Sequence, residues 1–80
     1  MKLTFISNEK ARASSCGPET TAAWNDHYLV QERWPQDEKF SCFGVDTERE
    51  AAERKARIHA ARFPGREVRI VKPDAKRSAA

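Results

Sequence analysis

No stretch of the 80-residue sequence carries an apolar run approaching membrane-spanning length, and Glu9 and Lys10 bring charge in before a signal-peptide apolar region can form. No membrane partner is expected, and the expected location is the cytoplasm. Cysteine is scarce. Cys16 and Cys42 are the only two, and a reducing compartment predicts free thiols rather than a disulfide. Glycine occurs three times, each time at a turn, strand or helix stop, so there is no Gly-rich phosphate loop and no nucleophile elbow.

Metal and catalytic constellations are missing as well. Cys16, His27, Cys42 and His59 are residue types of a zinc site, but none stands at the close spacing such sites use. Cys42 is expected as a small strand hydrophobe and His59 as a packed helix residue. The acidic residues sit beside basic neighbours and form no acid/base couple. These absences predict a protein that is not an enzyme and uses no metal, no cofactor and no small-molecule substrate.

Length points the same way. A chain this short buries only about 60% of the surface its unfolded form exposes, which leaves room for one thin core and few walls for an enclosed active site. Lys and Arg number 15 against 12 Asp and Glu, a net charge of +3. Such a balance permits contact with nucleic acid without requiring it. The clearly basic region is late: Arg66, Arg69, Lys72, Lys76 and Arg77.

What is present reads as short strands around one strong helix. KLTFIS (2–7) suits a strand with Leu3 and Phe5 on one face. Ser14, Ser15, Gly17 and Pro18 then break regular structure, so 8–26 is expected as a long loop in which ETTAAW forms at most one turn. HYLVQERW (27–34) alternates, with Tyr28, Val30 and Trp34 on one side and His27, Leu29, Gln31 and Arg33 on the other. Pro35 ends it, and FSCFGV (40–45) is the return strand of a hairpin.

Thr47 and Glu50 stand at capping-box spacing, predicting a helix that runs to Phe63. At about 100° per residue Ala51, Ala52, Ala56, Ile58, His59 and Phe63 share an apolar arc, with Ile58 and Phe63 expected as its anchors. Glu50 with Arg54 and Glu53 with Arg57 are i to i+4 pairs on the solvated side. Pro64 and Gly65 stop the helix. REVRIV (66–71) resumes alternation, with Val68 and Ile70 opposite Arg69.

The prediction is a single α+β domain over 1–72, with a flexible tail at 73–80. Its architecture is a small antiparallel sheet of about four strands, in β-β-β-α-β order, with one α-helix packed on one face. One helix leaves the other sheet face uncovered. That face would show His27, Leu29, Gln31, Arg33, Arg69 and Val71, and arginine and aromatic residues dominate interface energy. The candidate binding residues are therefore Trp24, His27, Gln31, Arg33 and Arg69. Trp24, Tyr28, Trp34, Phe40 and Phe43 interleaved with Arg33, Lys39 and Arg69 also allow stacking on bases, but no nucleic-acid-binding signature is present.

YLVQERW, FSCFGV, a capped alanine-rich helix and REVRIV, in a chain of this size without an enzyme motif, resemble the small phage-encoded anti-CRISPR proteins over residues 28–71. The resemblance implies a stoichiometric inhibitor in the host cytoplasm that docks on a CRISPR effector, such as a type I surveillance complex. It would block DNA binding or nuclease recruitment. Several such inhibitors are strongly acidic and imitate DNA, whereas this chain is basic and would turn arginines toward acidic protein or nearby nucleic acid. The alternative is a small nucleic-acid-binding accessory protein using basic and aromatic residues.

Overall fold

The fold is given by a computed structural model that describes residues 3–74. Of the expected tail at 73–80, with its Lys76 and Arg77, positions 75–80 lie outside the described residues. The first strand, β1 (Thr4–Ser7), ends at a serine whose hydroxyl accepts from the Lys10 N–H at 3.4 Å, so α1 (Asn8–Ala13) begins without a loop. Ser14, Ser15 and Gly17 interrupt the helix. Pro18 then opens α2 (Pro18–Ala23), at a position where its missing N–H costs nothing.

The expected loop at 8–26 is therefore two short helices. Their pattern was too sparse to read, because Asn8 and Ala11 are the buried residues of α1 and Thr21 is the buried residue of α2.

β2 (Tyr28–Arg33) and β3 (Ser41–Asp46) form the expected antiparallel hairpin. Val30 faces Gly44 and Gln31 faces Cys42, so Phe43 is an extra residue in β3 and the strand bulges there. α3 (Arg49–Arg62) follows, then β4 (Glu67–Lys72). The capping box does not form: the helix begins after Glu48, and Asp46 Oδ1 accepts from the Glu48 N–H at 3.4 Å. That bond turns the chain ahead of the helix, and no side chain caps the first amides of α3.

The α+β class, the four-stranded sheet and a helix across one face are as predicted. Strand order is β1-β4-β2-β3, with β4 antiparallel to β2 but parallel to β1, in the register Thr4↔Arg69 to Ser7↔Lys72. A sheet that is antiparallel throughout is corrected by that edge pair. The partner of a four-residue edge strand is fixed by what covers it rather than by its own pattern.

Period-two alternation divides the core between two faces. Val30 and Ile70 meet Ala52 and Ala56 of α3, flanked by Leu3, Phe5, Tyr28, Phe43 and Val68. Leu29 and Val71 meet Ala11 of α1, flanked by Ile6, Cys42 and Val45. The second sheet face is therefore covered, and the expectation of an open face opposite α3 is overturned.

Ile58 and Phe63 also depart from expectation, at 56% and 39% exposed. Ala52 and Ala56 are fully buried and let α3 lie close to the sheet. Ile58 stands roughly a third of a turn round from that alanine stripe, on the rim of the arc.

Candidate binding surface

The five predicted binding residues do not form one surface. Trp24, 43% exposed, follows α2 and meets the half-buried His27 edge-on, with ring centroids 5.1 Å apart. Beside them Asp26 Oδ1 lies 2.7 Å from His27 Nδ1. Gln31 and Arg69 point away from α3 as their strand phase requires, but the turn between α1 and α2 and the Phe40 ring close over them: Gln31 is fully buried and Arg69 is 6% exposed. Both belong to the interior of the fold.

There they form a polar network. Arg69 Nε donates to Gln31 Oε1 at 2.8 Å, and its Nη1 and Nη2 donate to the hydroxyl and carbonyl of Ser14 at 3.1 and 3.5 Å. Gln31 Nε2 donates to Ser15 Oγ at 3.3 Å, which in turn accepts from Thr21 Oγ1 at 3.4 Å. Asn8 Nδ2 reaches the Thr21 carbonyl at 3.1 Å. The residues that break the helical pattern are thus those that fasten 8–26 to the sheet, because buried polar groups require partners.

Arg33 lies between the two environments. Its Nε pairs with Glu67 Oε2 at 2.6 Å, and its Nη1 donates to the Glu38 carbonyl at 3.3 Å. Its guanidinium and that of Arg69 both stack on the Phe40 ring, at 4.5 and 3.8 Å from the centroid. Burial, with Arg33 nearby, pulls the Arg69 pKa below the usual guanidinium value.

The exposed aromatic surface forms on the other side, around the C-terminal end of α3. Trp34 is 44% exposed and, with Phe63, brackets Arg66, whose guanidinium stands 4.7 and 4.6 Å from their ring centroids. Glu32 accepts from Arg66 and pairs with His59. The His59 ring stacks on Phe43 at 3.9 Å and lies 4.8 Å from Phe63. Phe43, Lys55, Ile58, His59, Arg62 and Phe63 line a shallow recess of about 280 Å³.

Sequence reasoning assigned Ile58 and Phe63 to the core and so missed this surface. For Ile58 the available signal was its separation from the Ala52 and Ala56 stripe on the helical wheel; Phe63 shares the phase of that stripe and is exposed because it stands at the C-cap, past the last helical residue.

Among the described residues no group of three His, Cys, Asp or Glu side chains is placed to hold a metal ion. Cys16 is exposed and Cys42 half-buried, both as free thiols. Burial raises the Cys42 pKa, outweighing the lowering from its Gln31 hydrogen bond and from Arg69, which is opposite to the activation a nucleophile needs. No helix among the described residues is long and apolar enough to cross a membrane. Compared with known protein families, curated proteins and solved structures, the chain matches none.

Proposed function

We propose that the chain is a non-enzymatic binding protein that docks on a partner protein through the C-terminal end of α3 and the adjoining Trp34. One observation carries this reading. Ile58, Phe63 and Trp34 are large apolar side chains left exposed together in a domain whose sheet is covered on both faces. Grouped exposed apolar residues mark interaction sites, whereas single ones do not.

Lys55 and Arg62 flank the recess, and Arg62 forms no ion pair among the described residues. The fitting partner surface is an apolar segment carrying acidic residues. Trp34 and Arg66 are of the types that dominate interface energy. In the form given by the resemblance to anti-CRISPR proteins, the partner is a type I CRISPR-Cas surveillance complex. Docking then blocks DNA binding or nuclease recruitment.

The test is a reconstituted type I effector assayed for target-DNA binding and nuclease recruitment with wild-type protein, Ile58→Asp and Phe63→Asp. The expected result is stoichiometric inhibition by wild type and loss of it in both variants, with the fold retained. An effector that functions normally in excess protein sinks the CRISPR form of the proposal. Tight, steeply salt-dependent binding to bare DNA or RNA, insensitive to Ile58→Asp, would favour the nucleic-acid accessory reading.

A further inference from the structure

A second site stands apart from the aromatic surface and does not depend on the docking reading. Ile6, Lys10, Arg33, Phe40, Glu67 and Arg69 are among the residues that line an open cleft of about 690 Å³ beside β1. Three cations reach it from three elements: Lys10 from α1, Arg33 from β2 and Arg69 from β4. Among the described residues Glu67 is the one carboxylate in the lining, and it is paired with Arg33.

Arg69 is the anomaly. Every acceptor it reaches is neutral, namely Gln31 Oε1 and the hydroxyl and carbonyl of Ser14. The nearest charged neighbour is a second arginine, stacked on the same Phe40 ring. A buried guanidinium without a carboxylate is costly, and natural structures normally supply the opposite charge. Guanidinium carries five N–H donors, more than these contacts use.

The geometry points to a phosphate monoester as the ligand of this cleft, held by Lys10, Arg33 and Arg69 with its organic group against Ile6 and Phe40, the apolar side chains on the same sheet face. Charge selects the class. With Glu67 counted, the lining keeps a surplus of two positive charges, which matches a phosphate of about −1.5 to −2 better than a single carboxylate. The apolar wall favours an ester over the bare ion. This departs from the expectation that the chain takes no small molecule, since the cleft provides for binding without any reaction.

Phenyl phosphate, benzoate and inorganic phosphate are titrated into the protein while amide shifts are followed by NMR. Saturable shifts at Ile6, Arg33, Phe40 and Arg69 are expected with phenyl phosphate, with weaker binding of the other two probes. Lys10→Ala and Arg33→Ala should each weaken phenyl phosphate about tenfold, the usual scale for a lost charge-assisted hydrogen bond. Arg54→Ala, on the exposed side of α3, should leave it unchanged.

No saturable shift with any probe overturns the proposal, as does binding that survives both cleft substitutions. Benzoate binding as tightly as phenyl phosphate overturns the dianion assignment. Inorganic phosphate binding as tightly overturns the role given to the apolar wall. Amide spectra of the variants distinguish loss of the site from loss of the fold.

Discussion

Gln31 and Arg69 stand directly opposite each other in β2 and β4, both buried, and are joined across the ladder by a 2.8 Å hydrogen bond. A cross-strand pair of this kind specifies which strands meet. It also anchors Ser14 and Ser15, so that one charged side chain ties together β2, β4 and the turn between α1 and α2.

Gln31→Leu and Arg69→Met should each cost about 1 to 3 kcal/mol, because each strands a buried polar partner. The double variant should lose less than the two single losses combined, since neither partner is then left behind. Urea unfolding of the four proteins measures the coupling. Additivity within about 0.5 kcal/mol would show that the two side chains do not act as a unit.

Glu32 and Glu67 offer a paired comparison. Glu32 is held largely out of solvent between His59 and Arg66, while Glu67 and its partner Arg33 are more exposed. Glu32→Ala should destabilise by about 1 to 3 kcal/mol and Glu67→Ala by about 1 kcal/mol or less. Equal losses in thermal or chemical unfolding contradict the burial difference.

Gly44 lies in β3 under α3, with no positive φ to require glycine. A Cβ there would meet Lys55 Cδ at 3.6 Å and Val30 Cβ at 3.7 Å, both ordinary contacts. Gly44→Ala should therefore leave stability unchanged or raise it by about 0.4 to 1 kcal/mol through the unfolded chain. A loss above about 1 kcal/mol would mean that α3 sits closer to β3 than these contacts allow.

Asp46 gives a pH dependence of defined sign. The Lys55 ammonium, first, and the Glu48 N–H hold its carboxylate below 3.8, the ordinary value. A depressed folded pKa contributes stability that is fully present above the unfolded value and is lost as pH falls through the folded one. Carboxyl NMR titration should place the Asp46 midpoint below 3.8, and Lys55→Ala should move it back up. An Asp46 midpoint at or above 3.8 in the wild type refutes the contact.

The strands were legible because their period-two pattern survives burial on both faces. The phase that sets Val30 and Ile70 against Leu29 and Val71 reads directly from residue order. Covering the second face was not legible, because 8–26 uses Asn8, Ser14, Ser15 and Thr21 where a pattern search looks for leucine. From that one omission follow both errors about Gln31 and Arg69. Their direction was right and their surroundings were not. Trp34 was placed with the strand's apolar set and Ile58 with the helix core, so the surface they help to build was not read as one patch.

The parallel pairing of β1 with β4 has a consequence for biosynthesis. Thr4 must wait for Arg69, and β4 separates β1 from β2 in the finished sheet. As the chain leaves the ribosome, β1 has no neighbouring strand until almost the whole domain has been translated. The β2–β3 hairpin and α3 can form earlier from contacts near in sequence, but both faces of the sheet close only when the last strand slides into the gap. The decisive step in folding this small domain thus waits for β4. A chain stalled before β4 would expose Leu29 and Val30 together, a hydrophobic strand edge of the kind that chaperones bind.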